Sequence, residues 1–201
     1  MTAQQHPVAA RHRGTDTRAR ARAAALELFT RQGYEATSLR QIAEVVGINK
    51  ASLYHHFTSK EAILQSLFEE RGTEAAELLA WIREQPRTPR LLEDAVLRWV
   101  DTFTSEKLAG IRFMTANPLV VRELTDRDGG RIGNSLQGIA DELVALLPRR
   151  SGEDALLVRM AILSINAAVQ AAANTDVADS DIVAAARRSA RALVQAIGST
   201  R

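Results

Sequence analysis

The residues that invite a chemical reading lie in the run GINKASLYHHF, residues 47–57, where His55 and His56 follow Tyr54 in a chain with four histidines and no cysteine. Metal ligation, proton transfer or contact with an anion would each use such a pair. Neighbours at i and i+1 on a helix project about 100° apart, so the two imidazoles make a poor chelating pair, which would need i and i+4 spacing. No phosphate loop, nucleophile elbow, dinucleotide fingerprint or metal-spaced cluster of His, Asp and Glu accompanies them. The expectation is therefore no enzyme, no cofactor and no metal, which leaves the anion.

Charge supports that choice. Residues 1–60 hold nine Lys and Arg against four Asp and Glu, whereas the remainder holds 17 bases against 20 acids. All four histidines also fall in the basic part. Such asymmetry fits a small basic module that meets a polyanion, joined to a larger module that does not. A basic tail that only aids solubility would give the same count.

The elements that would position these groups are helices. The chain is 201 residues long, 46% hydrophobic and only 4% aromatic, with Gly and Pro falling between periodic apolar segments. A tail over residues 1–15 is read as disordered. A helix then follows from about Asp16 to Arg31, with Ala21, Ala24, Ala25, Leu28 and Phe29 on one face and Gly33 as its stop. A short helix runs from Ser38 to Val45, with Thr37 or Ser38 as cap and Gln41 completing a capping box. Gly47 sits in a tight turn that favours positive φ. Asn49 caps a second short helix, Lys50 to His56, and Thr58-Ser59 caps a long one, Lys60 to about Glu84. Leu39, Ile42, Leu53 and Phe57 are read as a small core. Further helices follow from Leu91 to the end, broken at Asn117-Pro118, Gly129-Gly130 and Pro148, about nine in all.

Two short helices joined by a glycine turn inside a basic segment have the form of a DNA-binding helix-turn-helix. Lys50, Ala51, Ser52 and His55, near the start of the second helix, are suited to base edges. Tyr54, His56, Thr37, Ser38 and Lys60 are suited to phosphates. A structural hydrogen bond for His56 and plain solvent exposure for His55 stay open. A phosphate-bound imidazole would make affinity pH-sensitive near ~6.5.

The run GYEATSLRQIAEVVGINKASLYHHFTSKEAIL, residues 33–64, resembles the signature of the TetR (tetracycline-repressor-like) family of transcriptional regulators. The matching residues are Gly33, Tyr34, Thr37, Ser38, Ile42, Ala43, Gly47, Leu53, Tyr54, His56, Phe57, Lys60 and Glu61, and the likeness covers about residues 16–66. It implies an all-α protein: a three-helix DNA-binding head at residues 16–62, and a larger helical domain at 63–201 that binds an effector and dimerises. By position it adds Arg40 to the base-facing set. One departure is Ala21-Arg22, where the family carries larger apolar residues. This leaves Arg18, Arg20 and Arg22 free to approach the DNA backbone, with Arg11 and Arg13 near a minor groove.

In the larger domain, the segment Leu156 to Ala173 is apolar nearly all round. Leu156, Met160, Leu163 and Ala167 mark one side, and Val158, Ile162, Ile165 and Val169 the other. It must be covered on both sides, either as a central core helix or against a symmetry copy in a four-helix bundle with the last helix. The resemblance implies a small-molecule pocket. Its candidate lining is Trp99, Phe103, Phe113 and Met114 with Met160, Asn166 and Gln170; ordinary core and interface roles are the alternative. The expected partners are thus a double-stranded DNA operator, a small and mainly apolar effector, and a second copy through the two C-terminal helices. No segment reads as a signal peptide or membrane span, so no membrane partner and a cytoplasmic location are expected. A repressor released by its effector is the reading; an activator of the same fold, or a DNA-binding protein without effector control, are its alternatives.

Overall fold

The computed structural model describes residues 7–127, 131–147 and 151–198. Among them are eleven helices and no strand: α1 Pro7–Gln32, α2 Leu39–Val46, α3 Lys50–His56, α4 Lys60–Glu84, α5 Leu91–Asp101, α6 Ser105–Ala116, α7 Pro118–Arg127, α8 Arg131–Val144, α9 Gly152–Ile162, α10 Ser164–Ala171 and α11 Asp179–Ala196. The expected breaks at Gly129-Gly130 and Pro148, and the first six residues, lie outside the described residues. The chain divides between Leu67 and Phe68, inside α4, into two compact units.

In the first unit α1 packs on α2, and α2 on α3. α1 begins at Pro7, well before the predicted start at Asp16, and so takes in residues 7–15 of the expected tail. Proline is favoured at the first helical position, and the Val8-Ala9-Ala10-Arg11 run continues it. Gly14, which suggested a boundary, costs only about 1 kcal/mol within a helix and is spanned.

The shared core is Ala21, Ala25, Leu28 and Phe29 of α1, Ile42, Ala43 and Val46 of α2, and Leu53 and Phe57, all buried. Ala21 is completely covered, and the arginines that flank it lie on neighbouring elements. Arg20 Nη2 donates to the Val46 carbonyl at 2.6 Å, and the Arg18 guanidinium lies 4.8 Å from the Phe57 ring centre. The first places a cation at the C-terminal end of α2, where the helix dipole favours it. Arg22 is half-buried and also engaged.

Local signals set the boundaries. Ser38 and Gln41 form the reciprocal capping box at the start of α2. Gly47 has φ 76° and ψ 32°, and the turn closes when Ile48 N donates to Ala43 O at 3.0 Å. Asn49 Oδ1 accepts from Ser52 N at 2.7 Å, and Ser59 Oγ accepts from Ala62 N at 3.1 Å.

The second unit buries the α5 stripe Ala95, Val96, Trp99 and Val100. α11 packs on α5, α9 and α10, through Ile182, Ala186 and Ala190, spaced four apart. The small side chains allow close approach. Arg187 pairs with Asp101, and Arg191 with Glu93 at 2.9 Å, tying α11 to α5 at both points. The helix expected over Glu153 to Ala173 is two, α9 and α10, bent by 57° at Leu163, which together with tighter boundaries raises the count above nine. The apolar pattern continues across the bend, so nothing in it marks the break; Ser164 Oγ is buried there with no partner among the described residues. No single helix among them is long and apolar enough to cross a membrane, although the bent pair α9 and α10 reaches that composition when summed.

At Gly47 a Cβ would meet nothing within 4 Å, so any substitution cost is conformational. Gly47→Ala is expected to destabilise the head by about 1–2 kcal/mol, and Gly47→Asn by less, because Asn tolerates the left-handed region. Thermal unfolding followed by circular dichroism measures both; equal midpoints for the Ala and Asn variants would contradict the role given to the turn.

Candidate nucleic-acid interface

A seven-residue helix has no independent stability, so α3 must be held by its neighbours. Leu53 and Phe57 anchor its inner side in the core, which turns Lys50, Ala51, Tyr54 and His55 outward, all exposed, with Ser52 and His56 half-exposed. This orientation is what a recognition helix needs: an apolar back fixed in the protein and a polar front at its N-terminal end. Lys50 Nζ lies 5.4 Å from the Tyr54 ring centre, one turn along the same face.

Beside that face is an open depression of about 410 Å³ whose lining includes Ser38, Arg40, Lys50, Tyr54, Ser59 and Lys60. The structure thus gathers residues from α2, α3 and the start of α4 onto one surface. Arg40 stands exposed on α2 and pairs with Glu44 at 2.9 Å, one turn on. An exposed pair of this kind is worth about 0.3–0.5 kcal/mol, little enough for a phosphate to compete with. Ser38 keeps its hydroxyl at the surface, although it is also the cap of α2.

Two of the expected phosphate ligands have structural work. Thr37 is 2% exposed. Its hydroxyl donates to Gly33 O at 2.8 Å and accepts from Gln32 Nε2 at 3.2 Å, so it shapes the loop before α2 and has no free face for DNA. Lys60 Nζ donates to Tyr34 O at 2.7 Å and lies 4.3 Å from the Tyr34 ring centre. The ammonium therefore locks α4 to the loop between α1 and α2 while still lining the depression. Thr37 was expected at phosphate because a hydroxyl beside a cap looks the same in sequence whether it points out or in.

Sequence reasoning missed the rest of this latch. Tyr34 Oη donates to Glu61 Oε1 at 2.9 Å, and the Tyr34 ring meets Phe29 edge-on at 4.9 Å between centroids. Burial would push the Glu61 carboxyl up. Hydrogen bonds from its own backbone, Ser59 and Tyr34, with the charge of Lys60, together outweigh burial and hold it below its usual value. A depressed carboxylate stabilises the fold above its unfolded value and loses that contribution as pH falls through the folded one, so the latch is closed at neutral pH. Tyr34, Lys60 and Glu61 were visible as motif residues; their mutual contacts, across 26 and 27 positions, were not.

The residues proposed for a small-molecule pocket do not share one place. Trp99 and Phe113 are buried, Phe103 and Met114 are partly buried against the same core, and Trp99 meets Phe103 edge-on at 5.7 Å. Met160, Asn166 and Gln170 are exposed, away from that core. The amides were placed inside because α10 reads as apolar, but they fall on its outer side with Ala167. Among the described residues no group of three or more His, Asp and Glu is placed to hold a metal.

Residues 22–67 match the family model described as bacterial regulatory proteins, tetR family. Over 41 residues the chain is 51% identical to the biofilm operon icaADBC HTH-type negative transcriptional regulator IcaR of Staphylococcus aureus, covering 20% of this chain and 22% of that protein. It is 41% identical over 51 residues to the HTH-type transcriptional regulator UidR of Escherichia coli, covering 25% and 26%. The chain thus spans about a quarter or less of the curated relatives it matches. The TetR-family regulator PfmR of Thermus thermophilus superposes with a TM-score of 0.61 at 24% identity, over 89% of this chain and 96% of that one. The cap, glycine turn and buried anchors that orient α3 lie inside the matched segment. Residues 22–67 are therefore similar to the helix-turn-helix segment of TetR-family regulators, on an all-α fold that solved TetR-family structures share.

Proposed function

We propose that this chain is a sequence-specific transcriptional regulator that binds a near-palindromic operator as a homodimer, represses by occupying it, and is released by a small, mainly apolar effector. The observation that carries the DNA-binding part is the outward front of α3, Lys50, Ala51, Ser52, Tyr54 and His55, opposite the buried Leu53 and Phe57. Repression is the reading favoured by the negative regulator among its relatives.

Dimerisation is supported by a face that one copy leaves uncovered. Leu156 is 60% exposed, Met160 53% and Leu163 46%, in register on α9 and its end, with Ala167 continuing on α10. These are the residues of one apolar side of the segment; the other side, Val158, Ile162, Ile165 and Val169, is buried in the unit. A large apolar stripe of this kind marks an interface, and two-fold pairing would bury it against itself. Asn166 and Gln170, exposed beside the stripe, then supply polar contacts across that interface. Two recognition helices about 34–36 Å apart would enter successive major grooves. An effector that prefers another spacing shifts DNA affinity by its differential binding, typically ~1–3 kcal/mol.

Selection of bound sites from random duplex DNA, at near-physiological salt, tests the proposal: an inverted repeat is expected, and enrichment of no sequence would overturn it. On the recovered site, Lys50→Ala and Ser52→Ala should cost about 1–3 kcal/mol at particular base pairs. Tyr54→Phe should weaken all sequences alike, and Lys60→Ala should do so while also lowering the melting temperature, because Lys60 holds Tyr34. Gel-shift titrations against single-base variants separate these patterns; discrimination lost with Tyr54→Phe and kept with Lys50→Ala would reverse the assignment.

Leu156→Glu combined with Met160→Glu places charge on the exposed stripe and is expected to give a folded monomer in sedimentation velocity with much weakened operator binding. A dimer that persists in that variant would put the interface elsewhere.

A further inference from the structure

Within the second unit, Arg71 of α4 occupies a site that a purely structural role leaves incomplete. Its guanidinium packs into the corner formed by two nearly perpendicular rings, 4.1 Å from the centre of Trp99 and 4.1 Å from that of Phe103. Nη1 donates to Glu74 and, at 3.2 Å, to Thr102 Oγ1. Glu74 also accepts from Lys107, whose ammonium donates to Thr102 O at 2.7 Å. Arg71, Glu74 and Lys107 keep side-chain exposures of 16%, 19% and 16%, so the network is mostly shielded from water. Nη2 is buried with no acceptor among the described residues.

That arrangement is costly for an arginine. Burial pulls the guanidinium below its usual pKa, against which Glu74, and then Glu70, hold the charge in place. A buried charged donor without an acceptor is destabilising, and arginine's second amino group has the fork geometry that matches a planar oxyanion. Lys107 supplies a second cation to the one carboxylate, Glu74, that both share.

We infer that the Arg71 guanidinium, packed in the corner between Trp99 and Phe103, is the polar anchor of the effector site, and that the effector carries a carboxylate on an apolar body. This rests on the proposed effector binding and sharpens it: Trp99 and Phe103 offer the apolar walls, and Nη2 the charged donor that receives the carboxylate. Glu74 is a positioning residue, holding both cations in register before the ligand arrives.

The test uses the full chain with Trp81→Phe, which leaves Trp99 as the sole indole of the protein's two tryptophans. Decanoate, decanol and decylamine are titrated while Trp99 fluorescence and melting temperature are read, and each probe is added to the operator complex. Decanoate is expected to bind at least tenfold more tightly than decanol, and decylamine more weakly than either. Arg71→Gln should erase the preference for decanoate over decanol. Arg71→Lys keeps the charge and guards against a variant that fails to fold; it should retain part of the preference. Equal affinity for decanoate and decanol, no binding of decanoate, or an unchanged preference in folded Arg71→Gln would each overturn the assignment. Equal release of operator by decanol and decanoate would do so while leaving effector control standing. Selective decanoate binding that never releases the operator would uphold the anchor and sink the effector control.

Discussion

Everything functional in the head depends on α3 being held by its back. Seven residues cannot stabilise a helix alone, so its orientation is whatever the packing of Leu53 and Phe57 dictates. Full burial of such side chains is worth about 1.5–3 kcal/mol each. The turn that brings α3 to this position is closed by a left-handed Gly47 and by the capping bonds of Ser38 and Asn49. The arginine on Val46 O and the Tyr34–Lys60–Glu61 latch then brace the motif from two sides, through α1 and α4. The polar front is thus displayed by a scaffold in which its own side chains have almost no part.

The head was nearly legible in the sequence because its signals are local. A capping serine with Gln at the third position, a glycine after an apolar pair, and an asparagine before a lysine act within a few residues, and each stands where expected. What sequence could not give is direction and distance. Thr37 and Ser38 are adjacent hydroxyls, yet one is sealed inside and the other is at the surface. The arginines of α1 read as free cations, because nothing local reveals that Val46 O and Phe57 lie within reach.

The larger unit was less legible for the same reason. Its helices follow from periodicity, and the stripe that α11 sets against α5 was visible as Ile182, Ala186 and Ala190. The ion pairs Arg187–Asp101 and Arg191–Glu93, spanning 86 and 98 positions, were not. The two apolar sides of Leu156 to Val169 were separated correctly, but periodicity carries no sign for which faces the core and none for the bend at Leu163. The same missing sign left both a ligand and a cross-interface role open for Asn166 and Gln170.

Because the anchors of α3 and its outward residues are different residues, stability and, on the proposed function, operator choice can change independently. Leu53 and Phe57 carry the packing, whereas Lys50, Ala51 and His55 project from it and support none of the core. Substitutions on that front are therefore nearly neutral to folding, and a lineage can explore new target sites through them without first losing the fold. Arg40, on the preceding helix α2, extends the same freedom, since its partner Glu44 is also exposed. On the proposed function the head is a fixed socket with an exchangeable reading surface, and descendants that keep the socket need share no regulated gene.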